Sequence, residues 1–220
     1  MQNYVTLTMY NKVLGGLLMK GSDIFVERTK QTGLYNIQAI DNIPSIMQRG
    51  LLSNERAQRV THTSIAMNEV QERRDNVKIP NGLKLHQYAN VYFDPHNPML
   101  SVRRSQNENI CILKIDYRIL DIPGVIISDR NASSDYASFY SPEMGMDLID
   151  FDLVYARYWI DEDYFEQMRK KSIKCAEVLV PYVIPYDYVI CAAVVNEAAA
   201  EKLQNVGFDK QIQMEPRVFF

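Results

Sequence analysis

Lys174-Cys175-Ala176-Glu177-Val178-Leu179-Val180 is the stretch that sets the fold class of this chain. Ala176, Val178, Leu179 and Val180, closed by Pro181, have the apolar, β-branched character of a buried strand. One acid sits among them. An ionised carboxylate in such a strand must be paired, neutralised or used. Side chains alternate along a strand, so Val178 and Val180 share one face while Glu177 and Leu179 share the other. Glu177 therefore either points out of a sheet edge into water or lines a cleft. Upstream, Gln71-Glu72-Arg73-Arg74 is a second place where charge is concentrated.

Working outward, the apolar runs are short and have helical signals between them. Leu34 to Ile37, Tyr88 to Phe93, Ile110 to Ile115, Val125 to Ile127, Leu153 to Trp159, Lys174 to Val180 and Tyr188 to Val195 read as strands. Asp41 and Asn42 offer caps for a helix from Ile43 to Arg49, with Pro44 in its first turn and Gly50 just past its end. Thr63 to Arg74 reads as a loose helix or turn. Asp161 to Lys171 is a charged helix or loop, and Asn196 caps a terminal helix to Leu203. Residues 128–150 show no strong period. Residues 1–32 form a leader with no assigned role, in which Tyr4 to Met19 is compatible with a strand and helix or a docked arm. Short strands with interspersed helices predict an α+β fold. No strand is followed by a glycine-rich turn opening a helix, so neither a dinucleotide-binding nor a P-loop fingerprint is present.

Composition narrows the function classes. The 220 residues suit one domain spanning 1–220; they are 47% hydrophobic and 23% charged, as in globular proteins. Net charge is −3, so any nucleic acid binds through a local patch. The three cysteines, Cys111, Cys175 and Cys191, lie far apart without a CxxC, which argues against a disulfide framework or zinc site and for a reducing cytoplasm. His62, His86 and His96 have no ligand spacing, so no metal is expected. The apolar run Val13 to Met19 falls short of the roughly 20 residues of a membrane span.

Six blocks in order make the chain resemble the DarT family of bacterial toxins, which ADP-ribosylate bases of single-stranded DNA. They are Leu34-Tyr35-Asn36-Ile37 with Asp41 to Ile46 and Gly50-Leu51; Ser64 to Gln71 leading to Arg74; Tyr88 to Phe93 with Asn97 to Leu100; Ser128 to Ala132; Tyr158-Trp159; and Lys174 to Val180. The resemblance runs from about residue 34 to residue 200. It implies an ADP-ribosyltransferase fold: a split antiparallel β-sheet with flanking helices and an NAD cleft between the halves.

The resemblance also implies roles. Glu177 would orient the nicotinamide ribose, stabilise its developing charge and assist as base, with Arg74 contacting a phosphate or positioning the target. Arg73 is the adjacent alternative. Asn36, Gln38, Asn42, Tyr92 and Met99 would hold NAD, Tyr92 by stacking on nicotinamide. The family typically has histidine where Asn36 stands and a small hydroxyl residue at Gln38. Asn42 has capping of the following helix as its other explanation. Arg169, Lys170, Lys171, Arg157 and Tyr158 would meet the nucleic acid, because cations track phosphate and rings stack on bases. Arg103 and Arg104 extend the same basic track. The expected activity is transfer of ADP-ribose from NAD to a base of single-stranded DNA, guanine over thymine. The alternatives are an impaired binding module of the same fold, or a transferase acting on RNA or protein. The expected partner is a macrodomain antitoxin that reverses the mark; the expected state is a monomer.

Overall fold

The computed structural model describes residues 13–14, 17–65 and 68–220, so most of the stretch from Tyr4 to Met19 lies outside it. The first helix among the described residues, Gly21–Thr29 (α1), buries Ile24 and Phe25, and Lys30 ends it in the left-handed region. The leader reading did not specify this helix. Its polar residues Ser22 and Asp23 interrupt the apolar spacing, and Ser22 finds its partner far away in Asp121.

Eight strands form the main sheet: Gly33–Ala39 (β1), Tyr88–Tyr92 (β2), Ile110–Asp116 (β3), Ile126–Ser128 (β4), Phe139–Tyr140 (β5), Glu177–Pro181 (β6), Val189–Val194 (β7) and Gln211–Met214 (β8). Their spatial order is β8-β7-β3-β1-β2-β6-β4-β5. Every pairing is antiparallel except β7 with β8 at one edge. That parallel pair is joined through the helix Glu197–Asn205, the crossover such a pairing requires. Asn196 caps this helix by accepting from the Ala199 N–H at 3.0 Å.

The sheet divides at its centre. β1 pairs with β3 along its whole length, from Gly33↔Asp116 to Ala39↔Ile110. Against β2 it has a single register pair, Tyr35↔Tyr92. β2 then pairs fully with β6, from Tyr88↔Pro181 to Tyr92↔Glu177. Two half-sheets therefore diverge from one hinge pair, as expected of a split sheet. The Asn36 side-chain amide donates to the Asn90 carbonyl at 2.9 Å across the opening.

Core packing follows strand alternation. Val178 and Val180 join the principal core with Leu34, Val91, Leu113 and Phe25. Leu179, on Glu177's face, packs with Ile79, Leu85, Tyr88 and Ala132. β6 is thus covered on both sides, and each fully buried aliphatic side chain contributes about 1.5–3 kcal/mol.

Three local expectations need correction. Leu153 to Trp159 is not a strand: Phe151–Val154 is a helical turn, because Asp150 accepts from the Leu153 N–H at 3.0 Å and caps it. The strand read from Lys174 starts only at Glu177, since the Lys174 N–H still bonds back to Lys170. Asn42 does not cap the helix Ile43–Arg49 (α2); its side chain turns to Gln38 and Thr63. The segment left open between helix and loop is the helix Tyr164–Ile173, capped by Asp163.

Candidate active site

At the sheet's opening lies a cavity of about 890 Å³. Its floor comes from β1 and β2, and its rim from three segments: residues 45–65, the helix Asn68–Asp75 (α3), and the helix Tyr164–Ile173 (α4) facing residues 130–136.

Glu177 is 0% exposed, so the sheet-edge alternative is excluded. Arg74, 103 positions away in sequence, is 7% exposed and places Nη1 at 3.1 Å from both carboxylate oxygens. The Ala132 N–H donates to Oε1 at 2.9 Å, and the Ser128 hydroxyl accepts from the Glu177 N–H at 3.2 Å. A buried carboxylate so paired and hydrogen-bonded meets the requirement its strand position imposed. Arg74 lines the cavity and Glu177 does not, so the acid lies behind the guanidinium. Arg73, one position earlier, is exposed on the cavity wall. The geometry therefore separates the two arginines: Arg74 alone contacts the acid.

Asn36, Gln38, Asn42, Tyr92 and Met99 all line the cavity. Asn36 spends one amide hydrogen on Asn90, and its carbonyl oxygen is buried without a partner among the described residues. Asn42 is fixed by Gln38 at 3.0 Å and by two hydrogen bonds with the Thr63 backbone at 2.8 Å. Carboxamides suit a ligand rich in hydroxyl groups, because they donate and accept; Asn42 has spent both amide hydrogens on Gln38 and Thr63, so it is left to accept. Burial and the Glu177 charge raise the Tyr92 pKa, so its phenol stays protonated.

The nucleic-acid candidates separate. Arg169 and Lys171 line the cavity, whereas Lys170, Arg157 and Tyr158 do not. Arg169 pairs with Glu166 at 2.6 Å and Lys170 with Asp161 at 2.6 Å. Arg157 donates to the Arg217 carbonyl, and Tyr158 is exposed. Arg103 lines the cavity and donates to the Ile65 carbonyl at 2.6 Å. Sequence reading missed Tyr136 on the facing loop. Tyr136 and Phe165 are 80% and 81% exposed, and both line the cavity. Water-exposed rings at a cleft mouth are suited to stacking on bases.

Cys175 is buried beside this site. Burial and the Glu177 charge push its thiol up to about 12, and burial does the same for Cys111. A thiol acts as a nucleophile only as thiolate. The folded protein is accordingly expected to resist iodoacetamide at neutral pH and to release Cys111 and Cys175 to alkylation only on denaturation. Rapid labelling of Cys175 in the native state would overturn this. Among the described residues, no group of His, Cys, Asp or Glu is placed to hold a metal ion, and no helix is long and apolar enough to cross a membrane.

Comparison with known proteins agrees with this architecture. The sequence model of the family described as ssDNA thymidine ADP-ribosyltransferase, DarT, matches residues 35–220. A DNA ADP-ribosyl transferase of Thermus sp. (strain 2.9) is 28% identical over 186 residues, covering 80% of this chain and 87% of that protein. A DNA ADP-ribosyl transferase-DNA ADP-ribosyl glycohydrolase fusion protein of Thermosipho africanus is 28% identical over 195 residues, 85% of this chain. The chain spans about half, 49%, of that fusion protein's length. The solved structure of Thermus sp. 2.9 DarT in complex with ADP-ribosylated ssDNA superposes with a TM-score of 0.76 at 25% identity, covering 87% of this chain and 97% of that one. The same protein in complex with NAD+ gives a TM-score of 0.72 at 23% identity over 86% of this chain and 98% of that one, a likeness of fold.

Proposed function

Because the chain belongs to the DarT family, we propose that it transfers ADP-ribose from NAD to a base of single-stranded DNA, with release of nicotinamide. The observation that carries this reading is the buried Glu177 carboxylate held by Arg74 at the opening of the split sheet.

NAD supplies the ribosyl group and its leaving group. The chain's own residues bind, orient and shift charge. Asn36, Gln38 and Asn42 meet ribose hydroxyls, the unpaired Asn36 oxygen as an acceptor. An asparagine in place of the family histidine keeps this hydrogen bonding and gives up only the option of positive charge. Tyr92 and Met99 form the flat apolar wall for the nicotinamide ring. The NAD pyrophosphate offers Arg74 a second anion, and its guanidinium can pair with phosphate oxygens in place of the carboxylate. Glu177 Oε2 then becomes free to hold the ribose, while the Ala132 N–H keeps Oε1 fixed. A preorganised carboxylate in a dry cleft stabilises developing positive charge by on the order of several kcal/mol. It can also accept the proton of the attacking base nitrogen.

Tyr136 and Phe165 flank the cleft mouth with Arg169 and Lys171, which supports an acceptor of single-stranded bases over a protein side chain. On this reading Lys170, Arg157 and Tyr158, which lie outside the cavity, would meet the strand beyond its target base. The partner would be a macrodomain glycohydrolase that removes the mark. The fused Thermosipho relative, which carries a DNA ADP-ribosyl glycohydrolase, supports this. An unopposed transferase would then act as a toxin in the cytoplasm.

The acceptor base is decided by incubating the protein with labelled NAD and single-stranded oligonucleotides, each lacking one base. Label is expected on every oligonucleotide except the one lacking guanine. Loss of label only without thymine would reverse the base assignment. Label on RNA or protein alone would replace the acceptor, and binding of NAD without any transfer would establish the binding-module reading.

A further inference from the structure

The helix α3 that presents Arg74 has almost no apolar surface of its own. In Asn68-Glu69-Val70-Gln71-Glu72-Arg73-Arg74-Asp75, Val70 is the single aliphatic residue. A helix polar all round needs anchors other than a hydrophobic face. Among the described residues, three polar contacts tie this one down. Gln71 accepts from the Asn54 amide at 3.0 Å, Arg74 grips Glu177, and Asp75 Oδ1 lies 2.6 Å from His86 Nδ1. If NAD draws the Arg74 guanidinium toward phosphate, the second contact is lost when accurate placement matters most.

We propose that His86 is a positioning residue for Arg74: its Nδ1–H, donated to Asp75, latches the last turn of α3 to the floor of the cleft. The latch keeps the Arg74 backbone in place whichever anion its guanidinium holds. Five observations support the assignment. The His86 ring is largely buried, with a side-chain exposure of 11%, and it belongs to the short turn Leu85–Gln87 that leads directly into β2. β2 is the strand that pairs with Glu177, so the latch joins the arginine's helix to the acid's own half-sheet. Burial holds the ring below its ordinary pKa of 6.5, which leaves it neutral with one proton to donate, and the Asp75 carboxylate fixes that proton on Nδ1. His86 Nε2 is buried without a partner among the described residues, so the latch contact is the ring's one described hydrogen bond. Asp75 and Arg74 are adjacent, so holding one constrains the other to within a bond rotation.

The inference rests on the reading of Arg74 given above, and its test has two readouts. Amide exchange across residues 69–75 and kcat/KM for transfer are measured in wild type, His86→Ala, Asp75→Ala, the double variant and His86→Asn. The asparagine amide nitrogen stands near the position of Nδ1 and keeps the donation to Asp75. Expected are faster exchange in α3 and a roughly 10- to 100-fold fall in kcat/KM for both alanine variants, the scale of an ångström-sized misplacement. The double variant should be no worse than either single one, and His86→Asn should restore both readouts. Wild-type exchange and activity in His86→Ala, or a His86→Asn as impaired as His86→Ala, would overturn the latch. If His86→Ala does not fold, Asp75→Ala, whose side chain is 65% exposed, carries the same comparison. If wild type transfers nothing to DNA, the proposed activity fails, and the exchange pattern still decides the latch.

Discussion

Glu177→Gln is expected to abolish ADP-ribosyl transfer while leaving the fold intact. The substitution keeps the shape of the side chain and removes its charge. The glutamine oxygen can still accept from the Ala132 N–H, the bond that orients the side chain in the folded protein. What disappears is one negative charge with two proposed roles, stabilising the developing sugar cation and accepting the proton of the attacking base. Removing one preorganised electrostatic contact costs about 10²–10³-fold in rate, and loss of the base adds roughly 10²–10⁴-fold. The two losses together put the variant below detection in an overnight assay. Stability should fall by less than about 3 kcal/mol, below the usual cost of breaking a buried pair, because Arg74 borders the cavity and can turn toward solvent. The check is a mass spectrum of the oligonucleotide product alongside thermal denaturation. Transfer at a tenth of the wild-type rate or more would remove Glu177 from the chemistry.

Arg74→Ala should cost more stability than Glu177→Gln. The asymmetry follows from burial. Arg74 fronts the cavity, but Glu177 is wholly enclosed by β2, β4 and the turn at Ala132. Without Arg74 the carboxylate has no cation among its hydrogen-bond partners, only the Ala132 N–H. An uncompensated buried charge costs about 3–5 kcal/mol. Helix α3 also loses one of its three anchors. Denaturant titration of both variants reads the difference directly. Arg73→Ala is the control: its side chain makes no contact with the acid, so it should stay near wild-type stability. Equal destabilisation by all three substitutions would mean that the pair is not the buried unit described here.

How far the chain could be read follows from where each residue's partner lies. Glu177 was legible because its conflict is local: an acid inside an apolar β run announces itself. The α+β class and most strands were legible from alternation and turn residues for the same reason. The pairing of Glu177 with Arg74 was not, since 103 positions separate them and only the resemblance gave the arginine a role. Lys174 shows the same limit. It read as the start of a strand, yet it is buried with Asp94 and donates to the Val154 carbonyl at 2.6 Å, contacts made by chain folding alone. The Leu153 reading failed on a competing local signal, the Asp150 cap, which outweighs a short alternation. His86 was passed over because the histidines were judged only as metal ligands. Its partner Asp75 lies on a different element, and nothing in the intervening sequence points to the contact.

The central proposal is that one acid, held behind one guanidinium until the dinucleotide binds, acts on that dinucleotide in the opening of a split sheet. Its most direct test is a single-turnover incubation of wild type and Glu177→Gln with NAD and a single-stranded oligonucleotide containing all four bases, read by intact mass. A gain of one ADP-ribose with wild type, and none with the variant, is the expected outcome. An unmodified oligonucleotide with folded wild type, or equal modification by both proteins, would contradict it.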